Sequence, residues 1–236
     1  IAAGSDANAL ASYTLSIWVQ RDSGGSGTSY GNMAFKGNTT TSRYWRWQND
    51  NGDAGWGLAF ITQWSTTQGA WSIAYPDTAW HNYVITYDTS STTNDPVIYK
   101  DGVSQAITER LTPAGTLGAD ADNFVIGNDN DGTGGAWDGD LAEFGYWNRI
   151  LTAGEALGLG KGFSPLFYPT GLLRYLPLIG NASPELELMR GNTGTVGGAT
   201  KAVHPRIIYP SSAQMRKFKS ATVAGGAKQL AVMGVG

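Results

Sequence analysis

The spacing Asp138-x-Asp140-x-x-Glu143 raises paired-carboxylate chemistry first. Retaining glycoside hydrolysis needs two carboxyls about 5 Å apart on one face. Asp138 and Gly139 read as a turn, and Asp140 and Glu143 have opposite parity along a strand, so they should face opposite sides. Catalysis is therefore not expected. Hard-oxygen coordination is the second chemistry. Asn128-Asp-Asn-Asp-Gly-Thr133 gathers carboxylate and amide oxygens in one loop, with Asp129 and Asp131 as the expected ligands of a Ca2+ ion. The EF-hand order fails because position one is Gly127, and the same residues also make a good hairpin turn. Asn49-Asp-Asn-Gly-Asp53 is a second cluster of this kind.

The third chemistry is aromatic stacking. Tyr44, Trp45, Trp47, Trp56, Trp64 and Trp71 lie on alternating segments, so about half of them belong to a core. Trp45, Trp47, Trp64 and Trp71 are the candidates for a platform that stacks on sugar rings, or for anchors of a protein contact. Trp18, Trp80 and Trp147 are expected to pack. Of the two histidines, His81 reads as structural and His204-Pro205 as a turn. The chain has no Cys, which excludes a disulfide framework, a cysteine zinc site and a cysteine nucleophile. The Gly-rich runs Ser23–Gly27 and Gly132–Gly135 do not join a strand to a helix, as a dinucleotide site requires.

Short strands between Gly/Asn/Asp/Ser turns must position these residues. Tyr13–Gln20 alternates, with Tyr13, Leu15, Ile17 and Val19 on one face. Met33–Lys36, Tyr44–Gln48, Trp56–Trp64, Trp71–Tyr75, Trp80–Asp88, Val97–Gly102, Asn123–Gly127 and Leu141–Trp147 follow. In Trp56–Trp64 the alternation predicts Trp56, Leu58, Phe60 and Trp64 on one face. Strands every ten residues or so argue a sandwich of two antiparallel sheets. One helix is expected: Thr152-Ala-Gly-Glu155 is a capping box ahead of Ala156-Leu157, and Gly158 and Gly160 stop it.

Charge divides the chain. Residues 1–162 carry a net −9 and residues 163–236 a net +6, and all nine Trp precede residue 163. This gives three expected units: a sandwich over 1–162, an extension over 163–212, and a basic then apolar arm over 213–236. The basic part is expected to dock on an acidic surface, including that of a second copy. Basic and aromatic residues lie in different halves, which argues against nucleic acid. No apolar run approaches the ~18–20 residues of a membrane span, and no signal peptide is visible.

Five segments in order carry a resemblance. Leu15-Ser-Ile-Trp-Val, Ala34-Phe-Lys-Gly, Trp80-His-Asn-Tyr-Val-Ile-Thr-Tyr-Asp, Ile98-Tyr-Lys-Asp-Gly and Gly139-Asp-Leu-Ala-Glu-Phe-Gly-Tyr-Trp-Asn-Arg-Ile-Leu-Thr-Ala-Gly-Glu155 resemble the LamG/concanavalin A-like domain over about residues 10–160. The resemblance implies an all-β, two-sheet antiparallel jelly-roll sandwich, here with one short helix and a basic C-terminal extension. It implies binding and surface assembly rather than catalysis, with Ca2+ common among relatives. Ala142 stands where such domains often carry Asp. The segment from Phe163 through His204-Pro-Arg-Ile-Ile-Tyr-Pro210 is similar to the tail that follows these domains in bacteriophage proteins. Such domains also open with a strand of the form Leu-x-x-Tyr-x-Pro-Leu. That pattern is found instead at Leu172–Leu178, so 171–203 is expected to supply the missing strand, by folding back or by insertion into a neighbour. A separate extension packed outside the sandwich is the alternative.

The functional expectation is a non-catalytic virion-surface protein, in capsid decoration or a tail, that homo-oligomerises with itself or other virion subunits. Assembly would run through Leu172, Tyr175, Leu178, Arg216, Lys217 and Lys219. The alternative is an extracellular carbohydrate-binding or adhesion module, calcium-assisted, whose partner is a glycan.

Overall fold

The computed structural model describes residues 7–22, 30–37, 43–50, 55–74, 77–118, 123–129, 135–180 and 183–211. The first sheet is built around β1 (Ser12–Arg21), in which Tyr13, Leu15, Ile17 and Val19 all turn inward and are fully buried. β6 (His81–Asp88) and β11 (Gly139–Trp147) flank it, both antiparallel. β7 (Val97–Lys100) and β8 (Val103–Ser104) extend one edge, and β12 (Leu172–Leu176) extends the other. The second sheet contains β2 (Tyr30–Gly37), β3 (Arg43–Asp50), β4 (Gly57–Thr62), β5 (Gly69–Ile73), β9 (Thr108–Leu111) and β10 (Phe124–Ile126). Its order is β10-β2-β3-β4-β5-β9. The architecture is the antiparallel two-sheet sandwich that the strand spacing predicts.

Between the sheets the filling is aromatic. The Tyr13 ring lies 5.8 Å from Tyr44, 6.0 Å from Tyr87, 5.9 Å from Tyr146 and 6.4 Å from Phe60, in tilted or edge-on geometries. Such contacts add to the burial of large apolar area. On its outer face the first sheet carries a second cluster of Val84, Trp147, Leu151, Ala156, Leu159, Leu172 and Tyr175. The helix α1 (Ala153–Gly160) and the chain after it cover this cluster.

The capping box forms as expected: Thr152 Oγ1 accepts from the Glu155 N–H, and Glu155 Oε2 accepts from the Thr152 N–H at 2.8 Å. Arg149 closes it with two bonds to the Glu155 carboxylate, at 2.6 and 2.9 Å. The Arg149 bond, followed by the Thr152 bonds, holds the Glu155 carboxyl down at about 2 against an ordinary 4.5. Its stabilisation is fully present above about 4.5 and lost as pH falls through about 2. Glu155→Gln should therefore cost about 1 kcal/mol at pH 6. The difference from the parent should shrink as pH falls through about 2 in urea titrations.

Two local features break the sequence pattern. Gly57 has φ +85°, and a Cβ there would meet the Ile73 carbonyl. This left-handed residue interrupts the alternation ahead of β4. Leu58 and Phe60 join the central core, whereas Trp56 packs with Ala59, Ile61 and Ala70 on the other face, contrary to expectation. In β11, Ala142 pairs with Trp18 but Gly145 pairs with Ser16, so one extra residue is inserted, and Glu143 has φ +58°. This bulge resets the alternation, and parity does not carry from Asp140 to Glu143.

The segment of the expected opening strand folds back on its own chain. β12 pairs antiparallel with β11, Phe144 opposite Leu176 and Tyr146 opposite Arg174. The free side of β12 is then capped. A small antiparallel ribbon, β13 (Glu185–Leu186) with β14 (Thr193–Gly194), follows it. The fully buried Glu187 carboxylate accepts from the Tyr175, Met189 and Arg190 N–H groups, at 3.1, 2.6 and 2.9 Å. Leu188 N–H donates to the Tyr175 carbonyl at 2.9 Å, and Glu185 accepts from the Leu178 N–H at 3.1 Å. The two acidic residues of the extension thus satisfy a sheet edge that would otherwise be open.

Candidate functional site

A groove of about 800 Å³ runs along the open side of the sandwich, where β10 and β11 belong to different sheets. It is lined by Trp80, Phe124–Asn128, Trp137, Asp140 and Leu141 and by residues 193–204 of the extension. This volume lies in the range of small-molecule sites. Each contributor is placed by a different element. Trp80 immediately precedes β6, Asp140 is the second residue of β11, and Trp137 is tied to β1 through its indole N–H and the Gln20 carbonyl at 3.3 Å. The Trp80 indole nitrogen is shielded from solvent and has no acceptor among the described residues.

The lining mixes two indoles and a phenyl ring with the side chains of Asn123, Asn128, Asp140, Thr195 and Lys201. Burial, and then the Asp22 charge, push the Asp140 carboxyl above the ordinary aspartate range. Phe124 and Trp137 are buried, so the half-buried Trp80 is the ring that can meet a ligand's apolar C–H face, beside short polar donors and acceptors that suit its hydroxyls.

His204 also belongs to a buried polar cluster. Glu143, 1% exposed, accepts from the Tyr175 hydroxyl at 2.7 Å and the Tyr209 hydroxyl at 2.9 Å. His204 Nε2 lies 3.4 Å from the same carboxylate. Burial pushes the Glu143 carboxyl up, against the lowering effect of the two hydroxyl donors and His204. Glu143 is thus committed to fastening the extension, and no carboxylate pair with Asp140 forms around a shared substrate position.

The expected sites fare differently. Trp45, Trp47 and Trp71 are fully buried and Trp64 is 4% exposed, so none offers a face to a sugar or a partner. The reason is that their inward parity is set by the core: Trp45 packs on Phe124 and Tyr146, Trp47 on Tyr83, and Trp71 on Phe60 and Tyr87. Trp80, expected to pack, is half-buried with its indole nitrogen shielded, and it also lines the groove. Trp147 does pack, with its indole N–H on the Tyr168 carbonyl at 2.7 Å. Asn128 Oδ1 accepts from the Asp129 N–H at 2.8 Å, a turn contact. Asp131 lies outside the described residues, as do Arg216, Lys217, Lys219 and most of the Asn49–Asp53 cluster. Among the described residues, no three His, Asp or Glu side chains gather as a metal site would require. Leu172 and Tyr175 are buried in the outer cluster, and Leu178 is half-buried against the central core. They join the extension to its own sandwich.

His81 is structural in its contacts: Nδ1 lies 2.6 Å from Asp101 and Nε2 lies 2.8 Å from Asp77. The Ala79 N–H, and then His81, hold the Asp77 carboxyl down at about 2. Sequence reasoning missed Trp137 and Lys201 as groove residues. Their common signal was only that they flank turn-rich segments.

Among the described residues no helix is long and apolar enough to cross a membrane. The family model described as the concanavalin A-like lectin/glucanases superfamily, Laminin_G_3, matches residues 1–156. Over 145 residues the chain is 30% identical to the neuronal pentraxin receptor of Homo sapiens, a match covering 55% of this chain and 24% of that protein. The chain thus spans about a quarter of the length of that relative. A crystal structure of a presumptive carbohydrate-binding protein from Bacteroides ovatus ATCC 8483 superposes with a TM-score of 0.61 at 18% identity. That match covers 84% of this chain and 56% of the other, and at this identity it shows a shared fold. A heptameric SAP-like pentraxin from Limulus polyphemus matches at a TM-score of 0.44 and 14% identity, over 64% of this chain and 70% of the other.

Proposed function

This chain belongs to the concanavalin A-like lectin/glucanase superfamily, and on that premise we propose that it is a non-catalytic, extracellular carbohydrate-binding module whose glycan site is the groove between β10 and β11. The observation that carries this reading is the groove of about 800 Å³ in which the half-buried Trp80 lies beside the polar side chains of Asn123, Asn128, Asp140, Thr195 and Lys201. The polar side chains would bond sugar hydroxyls, and the Trp80 ring would lie against the sugar C–H groups. Superfamily membership and the shared fold with the Bacteroides ovatus protein support the same reading. This is the alternative among the sequence expectations. The virion role drew on the resemblance of the tail and on the charge division of the chain, and the groove gives it no further support. A glycan contact by a Ca2+ ion at Asp129 and Asp131 remains part of the proposal.

A glycan array followed by titration calorimetry tests the assignment. Trp80→Ala is expected to weaken binding at least tenfold, equivalent to about 1.4 kcal/mol. Asp140→Asn, which preserves shape, is expected to weaken it severalfold with an unchanged melting curve. Sugar binding that ignores both substitutions would move the site elsewhere.

A further inference from the structure

The extension is fastened to the sandwich at two places. At the first, Glu187 and the β13–β14 ribbon hold the chain against β12. At the second, the Ile208 N–H donates to the Gly162 carbonyl at 2.7 Å, the Ser164 N–H donates to the Ile208 carbonyl at 3.0 Å, and the Tyr209 hydroxyl donates to Glu143 at 2.9 Å. Between them runs a strap, residues 197–203, every one of them exposed and outside any helix or strand. Among the described residues no backbone–backbone hydrogen bond joins this strap to the rest of the chain. A Cβ on Gly197 or Gly198 would meet nothing within 4 Å. A Cβ on Gly180 would stand 3.4 Å from the Lys201 Cα, which is ordinary van der Waals contact.

Lys201 is the one basic residue of the strap. The exposed basic residues on either side have backbones committed to the fold. The Lys161 N–H donates to the Leu157 carbonyl at 3.0 Å, and the Arg190 N–H donates to Glu187 Oε2 at 2.9 Å. Arg206 leads directly into the bonded Ile208. An endoprotease must draw several residues on each side of the scissile bond into an extended strand in its own cleft. Backbone already bonded into a fold resists this, and exposed, unbonded backbone does not.

We propose that the Lys201–Ala202 bond is a processing site for an endoprotease that selects a basic side chain, and that the cut loosens one side of the groove without dividing the domain. The enzyme adds one water across the amide. The C–N bond breaks, Lys201 gains a carboxylate and Ala202 gains an ammonium group. Both pieces stay in place, because the ribbon holds the one ending at Lys201 while Ile208 and Tyr209 hold the one beginning at Ala202. Residues 195–204 line the groove, so a continuous strap becomes two tethered ends beside it. Ordering the backbone of even one residue again opposes binding by roughly five- to thirtyfold. As a statement about sugar affinity this rests on the glycan assignment above; as a statement about the cut it does not.

Brief treatment of the full chain with trypsin tests the site. Among the bonds of the described residues, a new N-terminus at Ala202 should appear before those at Gly162, Gly191 and Ile207, and the two pieces should co-elute. Its rate should not change with urea well below the unfolding midpoint, since the bond is reached without global unfolding. Cleavage there no faster than at the other three bonds, a rate that follows global unfolding, or pieces that part in native buffer overturns the site. The absence of cysteine lets spin labels on Asn128→Cys and Ala199→Cys report the groove directly. Their distance distribution should broaden on cutting and stay as it was when Lys201→Gln is added. An unchanged distribution in the cut protein overturns the loosening. Sugar affinity, measured separately, should fall at least about fivefold on cutting. Broadened labels with no sugar bound by the intact chain would leave the processing site standing and sink the glycan assignment. A bound sugar with no cut at Lys201 would do the reverse.

Discussion

Glu187→Ala is expected to detach the ribbon that guards β12 and to cost about 3–5 kcal/mol, a large part of the 5–15 kcal/mol that holds a typical domain together. The carboxylate is fully buried and is the acceptor for three backbone N–H groups, those of Tyr175, Met189 and Arg190. Charge-assisted bonds of this kind are stronger than neutral ones, and their removal strands each donor away from water. The Tyr175 N–H also belongs to an edge strand, so the loss exposes a template for pairing with other chains. A lowered urea midpoint with concentration-dependent association in light scattering is the expected outcome. Glu187→Gln keeps one acceptor oxygen and should lose roughly half as much. A change below about 1 kcal/mol for the alanine variant would show that the edge is satisfied in another way.

Trp71→Ala should have an effect of similar size for a different reason. The side chain is fully buried, stacks on Phe60 at 6.4 Å and meets Tyr87 edge-on at 5.1 Å, and its indole N–H donates to Asp95 at 2.7 Å. Truncation leaves a cavity in a core that can collapse only in part, at a cost of about 3–5 kcal/mol. The measurement separates two meanings of the same residue. A core Trp71 lowers the melting temperature by many degrees, and below the transition the protein still binds its glycan with near-parent affinity. A stacking platform would show the opposite, with an unmoved transition and lost affinity.

These two experiments fall where the sequence was readable and where it was not. Residue type and parity identified Trp71 as large, aromatic and on a strand, but left open which way it faces. That choice depends on what the opposite sheet supplies at the same level, here Tyr87 and Phe60. Glu187 was visible only as one of two acids in a basic tail. Its role depends on β12 reaching β11 from a distance in the chain, which nothing local to residues 185–190 encodes.

Local pattern by itself determined the two-sheet sandwich, the inward face of β1, the capping box at Thr152 and the affinity of Leu172–Leu178 for a sheet, because alternation and capping act within a few residues. Tertiary structure alone decided the bulge at Glu143, the face of Trp56 behind Gly57, the burial of the four candidate platform tryptophans, and the groove that collects Trp80, Trp137 and Asp140. Each of these follows from contacts between segments far apart in the chain, and a close approach of that kind leaves no periodic trace in the sequence.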